Sequence, residues 1–514
     1  MTTDINGSGM KGNGALFATC FAAITATSFC FILRALVIDN WGIDFALSET
    51  QKGELLGVGL WPFAISIVLI SLIIDRIGFR LTLWFAALCH LIGLGLLFTA
   101  HGYWSLYAGT FIMALGNGAV EAAANPLIAT LFSHDKPKWL NRLHAGWPGG
   151  MILGGLLAMA LDHFATGADW RIKIALMLVP VLVYTVLLVG RKFPVSERVA
   201  HGISYRTMLG EAGFISAFLL AALIMLEIGR VFSLNPMLTF GGMAVLTLIY
   251  AVFARAPGRP LYILLVLIMM PLAVTELATD SWISSLMAPE MTKLGLAAGW
   301  VLIYTSLIVF VIRIFAGTVI EKFKPLGVLA GASAIAALGI FMMSGATGGM
   351  ILAAATLYGI GKSFFWGTSM AVASEQFPKG GAVAINMLGG AGMLAAGIIG
   401  SVLLGAAQDH STREGLTAYD ATNHTSLSTT YLTQDKVSVF GHYKALDEAA
   451  VAAAPAADKA VFDGLATTSK KDALKEMALL PVGTLLVYLA LIAWFRTRGG
   501  YRPVVLGEEA AADA

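Results

Sequence analysis

Long runs of apolar residues, separated by short polar turns, dominate the chain. A helix needs roughly 20 apolar residues, at about 1.5 Å of rise each, to cross a bilayer. Fourteen runs are long enough, and we expect each to be a transmembrane helix. They lie at about 15–38, 53–74, 81–100, 104–131, 142–162, 171–190, 212–229, 237–254, 260–286, 296–320, 326–344, 350–372, 381–405 and 477–495. The pattern predicts an all-α integral membrane protein in contact with a lipid bilayer.

The composition excludes several other classes of protein. Of the 514 residues, 58% are apolar and 12% are charged, whereas soluble chains are about half apolar and about a quarter charged. A formal charge of +2 is too small and too dispersed for a nucleic-acid surface. The three cysteines, Cys20, Cys30 and Cys89, lie within apolar runs, which excludes a disulfide framework. No metal-ligand spacing and no nucleophile–base pair recurs at one depth, so we expect neither a metal or cofactor nor an enzyme.

The distribution of Lys and Arg predicts the orientation, because short cytoplasmic loops carry most of these residues. With the N-terminus inside, the inner loops and ends hold eighteen of them. The outer short loops hold five, namely Lys52, Arg171, Lys173, Arg230 and Lys293. Both termini are therefore expected in the cytoplasm, with the chain in a plasma membrane such as the bacterial inner membrane. The segment 406–475 would then be an outer loop or small cap, with a helix near 450–475 interrupted by Pro455.

Pairs of matching residues at a constant separation indicate an internal repeat. Asp75-Arg76 is matched by Glu321-Lys322 after 246 positions, and three further pairs are 245 positions apart. These are Gly116 with Gly361, Asn141 with Asn386, and Gly155 with Gly400. Transporters are often built from such duplicated halves. We divide the chain into a six-helix bundle (1–190), a linker with two inserted helices (191–259), helices 7–11 (260–405), the outer loop (406–475), and the last helix with its tail (476–514).

Two motifs carry a family resemblance. The segment Asp75–Arg80, with sequence DRIGFR, resembles the loop motif between helices 2 and 3 of the major facilitator superfamily. The segments GNG at 116–118, EAAANP at 121–126 and LN at 140–141 are similar to the fucose–proton symporter branch. The resemblance implies two six-helix bundles, here with a two-helix insert between them. It also implies conformational gating roles for Asp75, Arg76, Arg80, Glu321 and Lys322.

Glu121 is the candidate proton-coupling residue. It lies about ten residues into helix 4, which is near the bilayer midplane. A carboxyl group buried there favours its protonated form, which suits proton exchange, and the symporter resemblance implies the same role. A structural hydrogen bond between helices is the alternative. Asn125 lies one turn away on the same face. For Asn125, solute binding and a hydrogen bond between helices are equally favoured roles.

The repeat also predicts what lies opposite Glu121. Adding 245 to Glu121 gives Trp366, and adding it to Asn117 gives Lys362. Equivalent helices of the two halves face each other across a central cavity, so these four side chains are candidates for binding a small polyhydroxylated solute. Lys362 could instead neutralise Glu121.

Charged residues nearer the helix ends suggest gates. The repeat pairs Arg34 with Asp280, and Glu276 lies one turn below Asp280. We expect Arg34 to pair with one of these acids when the carrier faces the cytoplasm; snorkelling of Arg34 to the interface is the alternative. His144 and Asn141 are expected at an inner gate. For Arg313, a charge partner on its own or another helix is expected.

These features predict a monomeric secondary active transporter of a small polar solute, with a sugar as the favoured substrate and a proton as the coupling ion. An exporter of amphipathic compounds would share the fold but would need an apolar cavity. A non-transporting membrane sensor is the alternative from another class, and it would need a large signalling tail.

Overall fold

The computed structural model describes residues 8–45, 47, 54–165, 167–296, 299–438, 441–447, 450–451 and 453–506. Lys52, one of the five outer basic residues, lies outside this set. The first group of helices, here called the N-terminal half, consists of α1 (Ser8–Asp44), α2 (Trp61–Phe98), α3 (Tyr103–Leu131), α4 (Lys136–His144), α5 (Gly146–Phe164), α6 (Trp170–Ala175) and α7 (Leu178–Leu188). A connecting group follows, with α8 (Glu197–Ala200), α9 (Tyr205–Val231) and α10 (Pro236–Ala254).

The C-terminal half begins at α11 (Pro260–Ala273) and contains two π-helical segments. The remaining elements of this half are a π segment (Val274–Ala278), α12 (Thr279–Lys293), α13 (Trp300–Gly345), α14 (Met350–Lys362), α15 (Phe365–Gln376), a 3₁₀ turn (Pro378–Gly380), α16 (Gly381–Leu394) and a second π segment (Ala395–Gly400). The chain continues through α17 (Ser401–Asn423), α18 (Leu427–Tyr431), β1 (Gln434–Ser438), β2 (Gly441–Ala445), α19 (Ala456–Met477) and α20 (Leu479–Arg496).

The helices are those of a multi-span membrane protein. Among the described residues, ten helical stretches are long and apolar enough to cross a membrane. Helix α10 is an example of an apolar helix with a largely exposed surface. Its buried residues are Thr239 and Ala254, whereas the apolar residues Met237, Phe240 and Phe253 are exposed. An apolar exposed surface of this kind suits lipid rather than water. Three of the ten stretches exceed 40 residues, so the expected count of fourteen crossings stays a prediction.

The internal repeat is visible in the packing of equivalent helices. A Cβ added to Gly116 would lie 3.0 Å from the carbonyl oxygen of Ala86, and one added to Gly361 would lie 2.7 Å from that of Ala332. Both separations are too close for a side chain, so each glycine lets two helices touch. The pairs Gly116–Gly361 and Ala86–Ala332 are 245 and 246 positions apart, as the repeat predicts.

Equivalent turns also interrupt α2 and α13. Gly78 has φ 81° and ψ 158°, and Lys324, 246 positions later, has φ 61° and ψ 157°. This backbone region is essentially restricted to glycine. Pro325 contributes to the turn at Lys324, because the residue before a proline is excluded from the α region.

The two turns predict stability changes of opposite sign. Gly78→Ala should destabilise the protein by about 1–3 kcal/mol, although a Cβ there would meet no atom within 4 Å, because the cost lies in the backbone. Lys324→Gly should relieve a similar strain and raise the melting temperature in detergent. Gly95→Ala, a helical glycine with equally free surroundings, is the control. Equal melting temperatures for Gly78→Ala and the wild type would contradict this account.

The expected outer segment is a compact cap. Helices α17 and α19 pack against each other, and Ser411 donates a hydrogen bond to Asp472 Oδ2 at 2.9 Å between them. Leu416, Tyr431, Ala454 and Phe462 form a small hydrophobic core. Pro455 precedes the first residue of α19, so the helix starts after the proline instead of being interrupted by it.

Asp420 ties α18 to the end of α17. Its carboxylate accepts hydrogen bonds from the backbone N–H groups of Leu427 and Ser428, at 2.9 and 2.7 Å, and from the Thr425 hydroxyl. Desolvation opposes ionisation, but these hydrogen bonds outweigh it and lower the pKa of Asp420 to about 2. The cap is therefore stabilised by a hydrophobic core of its own and by the hydrogen bonds of Asp420.

Candidate functional site: a charged cavity between the two halves

A cavity lies between the N-terminal and C-terminal halves. We call it the central cavity, and it is lined by Phe63, Glu121, His144, Trp147, Glu276, Leu277, Arg313, Trp366 and Met393. Its free volume is about 20 Å³, room for about one water molecule, so the cavity is nearly closed in this state and must widen to reach the roughly 300–1,000 Å³ typical of small-molecule sites. Aromatic and aliphatic walls with two carboxyl groups and one guanidinium suit a small solute held by a few polar contacts.

Irregular helix segments supply several of the polar groups. Glu276 lies on the π segment Val274–Ala278, which follows Pro271. His144 ends α4, and Ala145 separates it from α5. Helices α14 and α15 are likewise separated at Ser363-Phe364, just before Trp366. Such interruptions free backbone groups for other partners and are frequent at functional sites.

Glu121, Asn125 and His144 form a hydrogen-bonded chain. Asn125 Nδ2 donates to Glu121 Oε2 at 2.7 Å, and Asn125 Oδ1 lies 2.9 Å from His144 Nε2. Because the amide nitrogen faces the carboxylate, its oxygen faces the imidazole, which must therefore carry a proton on Nε2. Among the described residues, no cation lies within ion-pair distance of Glu121. Its negative charge would thus be stabilised in a buried site by one amide hydrogen bond and by the attraction of Arg313 across the cavity, without a direct ion pair.

Arg313 is the buried cation of the cavity. It is 2% exposed, and its NH2 donates to Glu276 Oε1 at 2.7 Å. Its Nε and NH1 donate to the carbonyl oxygens of Ser363 and His144, at 2.9 and 3.0 Å. Of the alternatives expected for Arg313, the structure shows the partner on another helix. Glu276 Oε2 is buried with no hydrogen-bond partner in the described part of the chain, so this oxygen can accept a hydrogen bond.

Lys362 and Asp280 form a second ion pair. Lys362 Nζ lies 2.5 and 2.7 Å from the two carboxylate oxygens of Asp280, and the Tyr358 hydroxyl donates to Asp280 Oδ1 at 2.9 Å. Lys362 is 1% exposed. It therefore neutralises Asp280, not Glu121, and it does not line the central cavity.

Of the four residues predicted to face each other across a central cavity, Glu121 and Trp366 line it, and so do His144 and Glu276, which were expected at the gates. The ring of Trp366 lies edge-on to His144, with centroids 6.5 Å apart. Asn117 points elsewhere: its Oδ1 lies 2.9 Å from His90 Nε2, and His90 Nδ1 lies 2.8 Å from the Tyr184 hydroxyl. Asn117 therefore contacts α2, and Asn125 reaches the cavity only through its partners.

Arg34 contacts neither of its expected partners in this structure, because Asp280 and Glu276 are held by Lys362 and Arg313. Its guanidinium lies against Gly59, where a Cβ would overlap it, and it lies 5.6 Å from the Phe31 ring. Arg34 is 2% exposed, so it is buried and does not extend to the interface.

The loop motif lies at one end of the bundle, which we call the basic face. Asp75 accepts hydrogen bonds from Ser196 Oγ at 2.7 Å and from Arg198 Nε at 2.8 Å. Arg198 also packs against Gly381 at the start of α16, so it bridges the two halves. Arg76 lies over the Tyr205 ring at 5.6 Å. The remaining motif residues, Arg80, Glu321 and Lys322, are exposed.

Two equivalent asparagines join the halves near this face. Asn141 Nδ2 donates to the Thr368 hydroxyl at 3.1 Å, and Asn386 Nδ2 donates to the Ala122 carbonyl at 2.9 Å. The second contact lies at almost the equivalent place with the halves exchanged, but its acceptor is a backbone carbonyl where the first has a hydroxyl. Together with Lys136, which reaches the Ser374 carbonyl at 3.4 Å, they close the cavity toward the basic face.

The C-terminal tail also returns to the basic face. The Tyr501 hydroxyl donates to Glu375 Oε2 at 2.6 Å, and Val504 N–H donates to the Glu375 carbonyl at 2.9 Å. Burial and the neighbouring Glu375 carboxylate raise the pKa of Tyr501, which keeps its phenol protonated as a donor.

The sequence did not predict that Arg198 pairs with Asp75, or that Phe63 and Trp147 line the central cavity. Arg76 follows Asp75 in the sequence but lies over the Tyr205 ring, so the neighbours of Asp75 in the chain did not identify Arg198 as its partner. Ser196 followed by Glu197 marks a helix start, which would have placed Arg198 on an ordered segment. No local signal identifies Phe63.

Comparison with known proteins agrees with this architecture. The chain is 24% identical over 308 residues to the hexuronate transporter of Bacillus subtilis (strain 168), covering 58% of this chain and 70% of that one. The proton:xylose symporter XylE of E. coli, solved with 6-bromo-6-deoxy-D-glucose, aligns with a TM-score of 0.61 and 14% identity over 94% of this chain and 96% of that one.

The E. coli fucose:proton symporter FucP, in the outward conformation, aligns with a TM-score of 0.56 and 15% identity, covering 92% of this chain and 98% of that one. At these identities the two solved structures show a shared fold. Residues 15–401, most of the chain, match the sequence profile of the Major Facilitator Superfamily. The chain therefore belongs to the Major Facilitator Superfamily and is a secondary transporter, not an enzyme.

Proposed function

We propose that this protein carries a small neutral polar solute, with a sugar as the favoured substrate, together with a proton. The observation that supports the proposal best is Glu121, a carboxyl group that lines the central cavity and is hydrogen-bonded to Asn125 without an ion pair in the described structure. Such a group can gain and lose a proton during the transport cycle. XylE and FucP, which share this fold, are a proton:xylose symporter and a fucose:proton symporter, and this agrees with the proposal.

The charges of the cavity favour a neutral solute over an acidic one. Glu121 and Glu276 outnumber the single cation Arg313, which already binds Glu276. Protonation of Glu121 would bring the lining to zero net charge, leaving no spare cation for a carboxylate. Because the hexuronate transporter is a relative, a sugar acid is the second candidate. The polar lining disfavours an exporter of amphipathic compounds.

Within the cavity we assign solute contacts to Glu276 and to the aromatic walls. The free Oε2 of Glu276 can accept a hydrogen bond from a solute hydroxyl. Trp147 and Trp366 offer ring faces from opposite halves. Asn125 and Asn117 would then support the site from behind, and Lys362 would hold Asp280.

Transport would proceed by alternating access of the two halves. We propose three groups of gating residues on this side: Asp75, Arg76 and Arg80 on the basic face, Glu321 and Lys322 at the equivalent turn, and Asn141 and His144 between this face and the central cavity. On the opposite side, Arg34 would pair with Asp280 or Glu276 once the cavity opens to the basic face. Release of Asp280 from Lys362 would have to accompany that pairing.

We further infer fourteen crossings, with the inserted pair α9 and α10 returning the second half to the orientation of the first. The turns at Gly78 and Lys324 support this layout, because each divides a stretch of more than 40 residues into two spans. The excess of Lys and Arg supports a cytoplasmic basic face and a plasma membrane location. Nothing in the site requires a second copy, so a monomer suffices.

Trp366 gives a prediction for solute binding. Trp366→Ala should raise the KM for transport about tenfold, because an aromatic face is lost from the cavity wall. Trp366→Phe should restore most of the affinity. Trp104→Ala, which removes an exposed tryptophan, is the control. Unchanged KM in Trp366→Ala would contradict a contact between this ring and the solute.

Uptake into proteoliposomes tests the proposed function. The panel should contain labelled neutral hexoses and pentoses, hexuronates, and an amphipathic cation, each with and without an inward proton gradient. Accumulation of a neutral sugar driven by the gradient is expected. Accumulation of a hexuronate in its place would establish the second candidate, and accumulation of the amphipathic cation would overturn the proposed substrate class.

A further inference from the structure

We propose that two arginines form a reciprocal clasp between the halves, and that this clasp holds the cavity closed toward the basic face. The arginine clasp consists of Arg142 and His144 in the N-terminal half and Arg313 and Ile314 in the C-terminal half. The proposal rests on the alternating-access function proposed above, because it names contacts that must break during each cycle.

The geometry of the clasp is a pair of crossed hydrogen bonds. Arg142 Nε donates to the Ile314 carbonyl at 3.1 Å, and Arg313 NH1 donates to the His144 carbonyl at 3.0 Å. Arg142 thus reaches the carbonyl of the residue after Arg313, and Arg313 reaches the carbonyl two residues after Arg142. Hydrogen bonds from a charged donor are stronger than those between neutral groups. Two of them, running in opposite directions, fix α4 against α13.

Pro148 explains why the His144 carbonyl is free to accept. In a continuous helix this oxygen would accept from the backbone N–H four residues later, but residue 148 is a proline and has no N–H. His144 is buried, so its carbonyl would otherwise be left without a partner. The proline therefore creates the acceptor that Arg313 uses.

Arg313 is fixed from its own side. Glu276 and the Ser363 carbonyl, both in the C-terminal half, hold its NH2 and Nε at 2.7 and 2.9 Å. Its side chain cannot follow the N-terminal half when the halves separate without losing these bonds. Separation at this level therefore breaks the bond to His144 and leaves a buried carbonyl unpaired, which is costly.

Arg142 forms the outer part of the clasp. It is partly exposed and lies 5.1 Å from the Trp139 ring. Its bond to Ile314 closes the interface nearer the basic face than Arg313 does. The clasp thus spans from the edge of the bundle to the wall of the cavity.

The test measures the distance between the halves and needs no substrate. Ile77 and Phe323 occupy equivalent exposed turns of the two halves, and the native cysteines are buried. Spin labels would be attached at Ile77→Cys and Phe323→Cys, and pulsed electron paramagnetic resonance would measure the distance between them. A longer distance reports opening of the basic face. The full-length protein in nanodiscs should show mainly a short distance.

Two substitutions should weaken the clasp without removing the buried ion pair of Arg313. Pro148→Ala gives the His144 carbonyl a helical N–H partner, and Arg142→Gln removes the outer donor. Each should raise the ratio of long to short distances about tenfold. Two substitutions are the matched controls. Pro62→Ala replaces a proline at a helix start, where no carbonyl lacks a partner because of it, and Arg498→Gln replaces an arginine that lies over the Trp494 ring.

The proposal is overturned if folded Pro148→Ala and Arg142→Gln both keep the wild-type distance distribution, or if the wild type is mainly open. A failure of the proposed transport function would give a different set of results from a failure of the clasp. In that case none of the sugars would be transported, while the two variants would still open the basic face.

Discussion

Arg313→Leu is expected to lower the free energy of unfolding by about 3–5 kcal/mol, because it leaves Glu276 as an uncompensated buried charge. The Arg313 and Glu276 side chains are 2% and 7% exposed, so solvent cannot replace the lost partner. The same change also frees the carbonyls of Ser363 and His144. Thermal unfolding of the purified protein in detergent would measure the loss as a fall in melting temperature.

The double variant Arg313→Leu/Glu276→Leu separates charge from packing. Replacing a whole buried ion pair by apolar residues is often close to neutral, so the double variant should be more stable than Arg313→Leu. Lys444→Leu is the control, because Lys444 and its partner Asp435 are 53% and 71% exposed and their pair should contribute little. A double variant no more stable than Arg313→Leu would contradict this, and would show that the two carbonyls, unpaired in both variants, dominate the cost.

Glu121→Gln is expected to abolish proton-driven accumulation while solute exchange continues. Glutamine keeps the size of the side chain and an oxygen that can accept from Asn125, but it cannot carry the proton. Uptake against a gradient should fall to the level of empty liposomes, whereas exchange of internal for external solute should persist. Both are measured in proteoliposomes with the solute identified from the panel.

Glu227→Gln is the matched control, since Glu227 is also a buried glutamate but lies on α9, where it pairs with Arg230. It should retain accumulation. Loss of exchange as well as accumulation in Glu121→Gln would assign Glu121 to solute binding or folding instead of proton coupling.

The repeat made part of this site predictable. A constant separation of 245–246 residues placed Trp366 opposite Glu121, and both line the central cavity. It also related the turn at Gly78 to the one at Lys324, and Asn141 to Asn386. These relations follow from duplicated helix packing, so they can be seen in one sequence without knowing how the helices are arranged.

The partners of the buried charges were not predictable in the same way. Asn117 precedes Glu121 by four residues, which rotates it by about 40° around the helix, and that rotation is enough to direct it to His90 on α2. Lys362 meets Asp280 because α14 and the start of α12 are neighbours in space. Such pairings depend on helix rotation and tertiary contact, which the positions of charges along the chain do not specify.

The cap shows another limit. Its alanine-rich helix α19 was expected from composition, whereas the antiparallel pairing of β1 with β2 was not. The strands are five residues each and mostly polar, so no alternation of buried and exposed positions marks them. The strands are defined by their antiparallel backbone pairing, which the pattern of residues did not indicate.

Proton movement on addition of solute tests the coupling most directly. Proteoliposomes containing a pH-sensitive dye, with equal pH on both sides, would receive the neutral sugar that gives the strongest uptake. Internal acidification that follows sugar entry, and is absent in Glu121→Gln, is the result that a proton symporter predicts. Entry of the sugar with no change in internal pH would contradict it and make this carrier a uniporter or one coupled to another ion.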